Sequence, residues 1–378
     1  MATFVTYTLD LFDGTNVTGG NKRFKELVWS LAEKGDTIHL FIPDNANFPT
    51  HDNIIRHSLK KPESSILPVG LLAFIMNYRK LSSIKKFNCD KVILVSVPYG
   101  IQGALLGLKN MALILWEDFI GVRRIKYQQK KLKIQNGFKI KVLTIIEGYA
   151  LKIANQIISQ CNYDKKQLIQ RHRKLEQEIA TKTYVIPNNV NPSWIKKHEA
   201  LISAKANRGK SGEFTICFIG NLNDPKKGAH ILLEAASKLI EKGYYIRLIL
   251  IGGGELLANY AQKYSEYKQI EFWGYQENPL QYLVNADLLV VPSLVDSFPN
   301  TIMEGLFLEI PVIGSRRGGI PEMLQDEELL FEPEPDHLFH KIVSLLDNNT
   351  YEKYQELCLK RKDELRFDWG GAMRELLH

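Results

Sequence analysis

Short apolar runs alternate with longer amphipathic segments along most of this chain. The apolar runs are rich in Ile, Leu and Val, which is typical of buried strands in a parallel sheet. The predicted strands are Phe4–Leu9, Thr37–Ile42, Lys91–Val97, Ala112–Trp116, Gln156–Gln160, Thr215–Ile219, Ile246–Ile251, Ile270–Trp273, Leu288–Val291 and Pro311–Gly314.

Helical periodicity fills the intervals between the strands. The clearest predicted helices are Asn21–Lys34, the first part of Lys139–Ser159, Gly228–Lys242, Pro279–Asn285 and Thr301–Leu308. Strands that alternate with helices predict a parallel α/β architecture. Because 378 residues exceed what one compact core usually holds, we expect two such domains.

The predicted junction between the domains is Ile186–Trp194, where two prolines and three asparagines interrupt any regular element. A polar segment at residues 203–213 precedes the first predicted strand of the second half. No short repeat and no low-complexity tract is present in the sequence.

The composition is that of an ordinary globular protein, with 45% hydrophobic and 24% charged residues. The first ten residues lack the basic and apolar regions of a secretory signal, and the apolar run Ile66–Met76 is too short to span a bilayer. The four cysteines have no CxxC or metal-ligand spacing. These features predict a cytoplasmic protein with reduced thiols and no bound metal.

The net charge of +7 is unevenly distributed. Eight Lys or Arg and no acidic residue lie within Arg123–Lys141, and a second basic set comprises Arg79, Lys80, Lys85, Lys86 and Lys91. The sequence is compatible with a solvated helix face and with attraction to anionic lipid headgroups or an anionic acceptor. No nucleic-acid-binding motif accompanies the charge, so nucleic acid is not an expected partner.

Glycines and potential anion ligands follow several predicted strands. Gly14–Asn21, with Gly19 and Gly20, separates a strand from a helix, where bare backbone and a helix N-terminus can approach an anion. Gly220–Gly228 has the same setting and adds Lys226 and Lys227, either solvated or directed at a diphosphate. Gly252–Gly254 ends another strand and keeps side chains out of the crevice there.

The most informative segment is Pro292–Gly305, which carries Asp296 in a loop and Glu304 in the following helix. The loop acid can face sugar hydroxyls or a developing positive charge. The helix acid can accept hydrogen bonds from ribose hydroxyls, and the N–H groups of Asn300 and Thr301 can hold phosphate oxygens. Thr301-x-x-Glu304 also matches a capping box, which needs no ligand, and both interpretations remain open.

One further loop, Ser315–Glu322, supplies Arg316, Arg317 and a glycine pair. The guanidinium groups either clamp a phosphate or are solvated. Four successive loops at the carboxyl ends of strands in one domain thus carry glycines, anion donors or paired acids, and their order favours a ligand-binding edge.

In this order the motifs resemble those of the retaining glycosyltransferases of family 4, which have the GT-B fold. Ile186–Asn191 resembles the family's I-P-N-G-V-D segment, and Gly220–Gly228 resembles its G-R-L…K-G segment. Gly252–Gly254 resembles the G-x-G turn, Asp296–Glu304 the E-x7-E motif, and Ile310–Glu322 the G-x-P-V-I…G-G-x-P-E stretch. The resemblance covers nearly the whole chain and is densest from Val185 to Glu322.

The resemblance implies two Rossmann-like domains that face each other across a cleft. The first, residues 1–186 joined by a returning C-terminal helix at 366–378, would bind the acceptor, and the second, residues 187–365, would bind a nucleotide-sugar. The implied donor-binding residues are Gly19, Gly20, Gly220, Lys226, Lys227, Gly253, Tyr275, Asp296, Asn300, Thr301 and Glu304. The implied catalytic residues are Asp296, Lys227 and Glu117.

Three positions depart from the family pattern. Asn221 stands where the family usually has Arg, Asp296 replaces a Glu, and Glu117 lies near the position where a His is common. Arg316, Arg317 or Lys226 are candidates to replace the missing cation.

The resemblance implies retaining, metal-independent transfer of a hexose or N-acetylhexosamine, with a UDP-sugar as the favoured donor. The donor is a substrate, so no cofactor is expected. The implied acceptor is a glycan or a polyprenyl-diphosphate-linked sugar at the inner face of a bacterial membrane, to which Arg123–Lys141 would be attracted. The three departures motivate an alternative, a catalytically silent GT-B subunit that stabilises an active partner.

Overall fold

The structure is a computed structural model that describes residues 1–9, 19–62, 69–123, 133–190, 200–203 and 212–378. The chain divides into two compact units. The first comprises Met1–Ile120, Ile134–Pro187 and Asp368–His378, and the second comprises Asn188–Phe367 with the described residues of Gly121–Lys133.

The first unit is built on a seven-stranded parallel sheet, in the order β3-β2-β1-β4-β5-β6-β7. Its strands are β1 (Thr3–Tyr7), β2 (Thr37–Pro43), β3 (Ile54–Leu59), β4 (Lys91–Val95), β5 (Met111–Leu115), β6 (Gln156–Ser159) and β7 (Thr183–Val185). Its first helices are α1 (Gly19–Glu33), α2 (Val69–Ser82), α3 (Val97–Leu105), α4 (Lys133–Ile153), α5 (Asn162–Arg171) and α6 (Glu176–Lys182).

The second unit contains a six-stranded parallel sheet, in the order β10-β9-β8-β11-β12-β13. Its strands are β8 (Phe214–Ile219), β9 (Ile246–Ile251), β10 (Ile270–Gly274), β11 (Leu288–Val291), β12 (Val312–Ser315) and β13 (Leu330–Phe331). Its helices are α7 (Ala229–Glu241), α8 (Leu256–Lys263), α9 (Leu280–Leu283), α10 (Asn300–Phe307), α11 (Ile320–Leu324), α12 (Pro335–Leu345) and α13 (Asn348–Glu364).

A last helix, α14 (Trp369–Leu377), belongs to the first unit. Trp369 is buried, and the Arg23 guanidinium on α1 lies 5.4 Å from the centre of its ring. The side-chain amide of Gln156 donates to the Leu376 carbonyl at 2.8 Å. Apolar burial and specific hydrogen bonds together hold the end of the chain on the first sheet.

The predicted fold class is confirmed, because both sheets are parallel and flanked by helices. The apolar pattern missed β3, which has charged and polar residues, and also missed β7 and β13, which are only three and two residues long. The run Lys91–Val97 is not one strand, since β4 ends at Val95 and Val97 begins α3.

The cysteines of the first and second units are free thiols, three of them buried. Burial raises the pKa of Cys217 to about 12, so this thiol is protonated at neutral pH. Among the helices that the structure describes, none combines the length and the apolar character needed to cross a bilayer.

Candidate active site

The loops that leave the carboxyl ends of β8, β9 and β10 are joined by backbone hydrogen bonds. The Gly220 N–H donates to Ile251 at 3.0 Å, the Leu222 N–H to Gly253 at 3.0 Å, and the Gly252 N–H to Gly274 at 2.8 Å. Since every strand of this sheet is parallel, these loops share the edge at which open α/β sheets bind ligands.

Two of the three glycines after β9 are required by the packing of these loops against each other. A Cβ at Gly252 would lie 1.8 Å from the Gly220 carbonyl oxygen, and one at Gly254 would lie 2.7 Å from Asn223 Oδ1. Both residues have positive φ values, 155° and 140°. Gly253 differs, because a Cβ there would meet only Tyr275 in ordinary contact, at 3.4 Å. Gly253 thus lies against the exposed Tyr275, which directly follows β10.

The loop after β8 packs closely on the loop after β11. Gly228 has φ 70°, and a Cβ there would lie 1.9 Å from the Pro292 carbonyl oxygen. The Leu294 N–H donates to the Lys226 carbonyl at 2.6 Å. Only glycine allows this approach, which fixes the position of the lysine pair relative to the acidic loop.

Lys227 and Asp296 form an ion pair, with 2.6 Å between Nζ and Oδ2. Ser293 Oγ donates to the same carboxylate oxygen at 3.4 Å. The two side chains are only 26% and 15% exposed, so water screens their attraction incompletely. Two residues that lie 69 positions apart in sequence thus form a partly shielded charged pair at the sheet edge.

Lys226 lies beside a different carboxylate. Its Nζ is 3.7 Å from Asp224 Oδ2, and its backbone N–H donates to Asp224 Oδ1 at 3.3 Å. Asp224 thereby caps the short 3₁₀ turn Pro225–Lys227. The turn orients the two lysines toward separate acids.

The backbone of Asp296 is held from the other side by the loop after β12. Gly318 has φ 63°, and a Cβ there would lie 2.0 Å from the Asp296 carbonyl oxygen. The Gly319 N–H donates to the same oxygen at 2.8 Å. The glycine pair of this loop therefore positions Asp296.

The neighbouring arginines are engaged with carboxylates. Arg316 pairs with Glu327 and with Glu332 Oε1, the latter at 3.2 Å, and Arg317 Nη1 lies 2.7 Å from Glu332 Oε2. Neither residue is simply solvated, and a phosphate would have to displace these acids.

The capping-box interpretation of Thr301 and Glu304 is wrong. Helix α10 begins at Asn300 and its N-cap is Pro299, so Thr301 already lies inside the helix. Glu304 lies a turn into the helix and is buried. A capping box requires the hydroxyl residue at the N-cap itself, which leaves the ligand interpretation of Glu304 standing.

No role was predicted from the sequence for Asn188, whose side chain contacts the start of α10. Its buried side-chain amide lies 3.2 Å from the Phe298 carbonyl and 3.3 Å from Asn300 Oδ1. The resemblance of Ile186–Asn191 to a family motif had marked this segment. Only the fold, however, places Asn188 against a loop more than one hundred residues later in the chain.

The other candidates lie in the first unit. Gly19 and Gly20 open α1, whereas Gly14–Thr18 lie outside the described residues. Glu117 follows β5 and precedes Asp118, which forms an ionic cluster with Glu147, Arg171 and His172. The two carboxylates of this cluster are buried. Arg171 contacts Asp118 Oδ1 at 2.6 Å and Glu147 Oε2 at 3.4 Å, and His172 Nε2 lies 2.8 Å from that Glu147 oxygen. This cluster anchors the loop that carries Glu117.

The described residues contain no group of three or more His, Cys, Asp or Glu that could hold a metal ion.

Each unit is a parallel Rossmann-like α/β domain, and the solved structures that share this fold include GT-B glycosyltransferases. The structure has a TM-score of 0.77 with sucrose-phosphate synthase from Thermosynechococcus elongatus, at 19% identity and covering 100% of this chain and 98% of that one. With HepE of Anabaena in complex with UDP and glucose, the TM-score is 0.68 at 16% identity, covering 100% and 99%.

Sequence comparison points to the same class. Residues 213–348, within the second unit, match the family model described as Glycosyl transferases group 1. An uncharacterized glycosyltransferase of Methanocaldococcus jannaschii is 27% identical over 277 residues, which are 70% of this chain and 64% of that protein. The O-antigen biosynthesis glycosyltransferase WbnH of Escherichia coli is 25% identical over 60% of this chain and 61% of its own length. The match thus spans under two thirds of either relative.

The capsular polysaccharide biosynthesis glycosyltransferase CapM of Staphylococcus aureus is 22% identical over 80% of this chain and 77% of its own length.

Proposed function

We propose that this protein is a metal-independent retaining glycosyltransferase of family 4 that uses a UDP-sugar. It transfers a hexose or N-acetylhexosamine to a glycan or polyprenyl-diphosphate-linked acceptor in bacterial surface polysaccharide synthesis. The observation that carries the proposal is the Lys227–Asp296 pair, at 2.6 Å, on the carboxyl edge of the second sheet. The names of WbnH and CapM support the pathway class, and the UDP bound to HepE supports the choice of nucleotide.

Lys227 is proposed to bind the donor diphosphate. An ammonium ion stabilises the negative charge that builds up on a departing diphosphate, and such preorganised charge supplies much of the rate in many enzymes. Because Lys227 is paired with Asp296, the incoming diphosphate competes for the ammonium group. Asp296 is then free to contact the hydroxyls of the donor sugar. No covalent nucleophile is assigned.

Glu304 is proposed to accept hydrogen bonds from the ribose hydroxyls. Its carboxylate is buried on α10, where removal from water strengthens hydrogen bonds to a bound ligand. The N–H groups of Asn300 and Thr301 lie in the first turn of α10, and the first turn of a helix suits phosphate oxygens. In this proposal Gly220, Gly253 and Tyr275 line the donor. Gly19, Gly20 and Glu117, which belong to the first unit, are kept as site residues because the family resemblance implies them.

The test is a thermal-shift panel of UDP, GDP, ADP and dTDP with wild type, Glu304→Gln and Glu234→Ala. A ligand at about 100 times its Kd stabilises the folded protein by about 2.7 kcal/mol. We expect UDP to stabilise wild type and the control Glu234→Ala, which removes an exposed carboxylate of α7. Glu304→Gln is expected to lose most of the shift. Stabilisation by none of the nucleotides would reject the donor site.

A second candidate is a silent subunit that stabilises an active partner. Its specific support is Asn221, whose side-chain oxygen accepts the Asn223 N–H at 2.9 Å and so is engaged within its own loop. A chain that binds UDP but does not hydrolyse or transfer from any UDP-sugar would favour this candidate.

A further inference from the structure

Helix α4 presents an apolar stripe to the solvent. Phe138, Val142, Ile145 and Tyr149 are all exposed, Phe138 and Ile145 to 72%. Their spacing of four, three and four residues puts them on one face of the helix. Exposed phenylalanine and isoleucine in line on one helix are unusual, because scattered single apolar residues are the norm on a protein surface.

The stripe is not needed to attach α4 to the sheet. Ala150 and Leu151 on another face of the helix are buried in the core of the first unit, and Ile140, Leu143 and Ile146 pack against that core. The helix therefore has two apolar faces, and the core uses only one of them.

Helix α2 repeats this arrangement on the same side of the sheet. Ala73 and Phe74 enter the same core cluster, while Leu71, Ile75 and Tyr78 are exposed at helical spacing. The strand residues of this cluster include Val5, Leu94, Leu113 and Ile157, and their neighbours along each strand, such as Ile93 and Ile114, are absent from it. Successive strand residues point to opposite faces, so α2 and α4 cover one face of the sheet.

We use the name helical patch for the exposed apolar side chains that these two helices carry on the same side of the sheet: Leu71, Ile75, Tyr78, Phe138, Val142, Ile145 and Tyr149. With Met76, these residues make up eight of the sixteen large apolar side chains that are exposed among the described residues. Exposed apolar surface is thus concentrated on α2 and α4, as expected of an interaction site.

The charged side chains exposed on the described parts of these two helices have one sign. Helix α2 contains no acidic residue, and the one acid of α4, Glu147, is fully buried and engaged with His172 and Arg171. Basic side chains are exposed along both helices and on the short turn after α2; they are Arg79, Lys80, Lys85, Lys86, Lys139, Lys141 and Lys152.

We propose that the helical patch docks the first unit onto an anionic lipid surface. The apolar stripes would enter the boundary between headgroups and acyl chains, and the flanking lysines and arginines would contact the lipid phosphates. Charge complementarity favours lipid over a second copy of the chain, because two copies joined at this patch would bring their basic side chains together.

This surface differs from the one that the sequence indicated. The basic run Arg123–Lys141 suggested attraction by charge alone, and its central part, residues 124–132, lies outside the described residues. The helical patch adds an apolar contribution and places it on two helices. It does not depend on the donor chemistry proposed for the second unit.

The test is co-sedimentation of the full chain with vesicles of phosphatidylglycerol and phosphatidylcholine, compared with phosphatidylcholine alone, at low and high salt. Wild type is expected to prefer the anionic vesicles and to retain part of its binding at high salt through the apolar stripes. Ile145→Glu is expected to bind at least ten times more weakly. The matched control is Tyr245→Glu, which changes a similarly exposed side chain, 69%, in the second unit and should bind like wild type.

A second variant separates charge from apolar contact. Lys139→Gln combined with Lys141→Gln should weaken binding at low salt and flatten its salt dependence. The UDP-dependent thermal shift of each variant, measured in parallel, reports whether the second unit is intact.

Three outcomes would overturn the proposal. They are no preference of wild type for anionic vesicles, equal binding by wild type and Ile145→Glu, and a wild-type dimer in light scattering that becomes a monomer in Ile145→Glu without any vesicle binding. The last would assign the helical patch to a second copy. A chain that docks on vesicles but binds no nucleotide would leave this proposal intact and reject the donor site.

Discussion

The ammonium group of Lys227 lies 2.6 Å from the carboxylate of Asp296, and the loops that carry them are in direct contact through Gly228 and Pro292. The pair joins the residue proposed to hold a diphosphate to the residue proposed to contact the sugar. Its geometry makes the electrostatic roles of the two side chains separable by mutation.

Lys227→Met should weaken UDP binding. Loss of one charge-assisted hydrogen bond costs about 1.5–3 kcal/mol, which corresponds to roughly a 10- to 150-fold increase in Kd. Asp296→Asn should bind UDP at least as tightly as wild type, since it removes the carboxylate that competes for the ammonium group, and should lose sugar transfer. Titration calorimetry with UDP distinguishes the two variants, and an equal loss of UDP binding in both would mean that the pair acts as a structural unit.

Gly228→Ala should destabilise the second unit strongly. The added Cβ would lie 1.9 Å from the Pro292 carbonyl oxygen, at a φ of 70°. The control is Gly243→Ala, at φ 82° with no atom within 4 Å of the added Cβ, which should cost about 1–2 kcal/mol for backbone conformation alone. Overpacking should add about 1–3 kcal/mol at Gly228. Equal free energies of unfolding from urea denaturation would show that the two loops separate freely.

Arg171→Ala should destabilise the first unit by about 3–5 kcal/mol, because it leaves the buried carboxylates of Asp118 and Glu147 without their shared cation. Lys34→Ala removes one partner of the more exposed Lys34–Asp368 pair and should cost less than about 1 kcal/mol. Urea denaturation gives the free energy of unfolding of both variants and of wild type. If the arginine variant were no less stable than the lysine variant, the cluster would not anchor the loop of Glu117.

The attachment of α14 to the first sheet should weaken in acid. Burial raises the pKa of Asp36, but hydrogen bonds from Arg374, the Ala2 N–H and His378 outweigh it and hold the pKa below its usual 3.8. A carboxyl group with a lowered folded-state pKa stabilises the folded protein above its unfolded pKa, and this stabilisation is lost as the pH falls through the folded pKa.

The free energy of unfolding of wild type should therefore decrease below about pH 3.8. Asp36→Asn, already less stable at neutral pH, should lose less stability over the same pH range. The two free energies of unfolding should converge as the pH is lowered. A difference that stays constant down to the acid transition would contradict this role of Asp36.

Sequence patterns were enough to predict the strands that bury a continuous apolar run and the helices that bury a single apolar face. Strands such as β8 and β9 are fully apolar over most of their length, and α7 has a clear apolar face, so local hydrophobicity alone identifies them. The polar segment at residues 203–213 and the glycine-containing segment Gly14–Asn21 lie mostly outside the described residues. Helix α2 was not recognised, because its apolar residues cover two faces and obscure the helical period.

The sequence by itself determined the parallel α/β class, the likeness to glycosyltransferases and the identity of the residues at the ends of the second sheet's strands. Tertiary structure alone decided the pairing of Lys227 with Asp296, the engagement of Arg316 and Arg317 by glutamates, and the N-cap that excludes a capping box at Thr301. The physical reason is the distance along the chain between the residues that interact. Strand and helix patterns arise from neighbours along the chain, whereas a contact such as Gly228 against Pro292 depends on which loops the sheet order brings together.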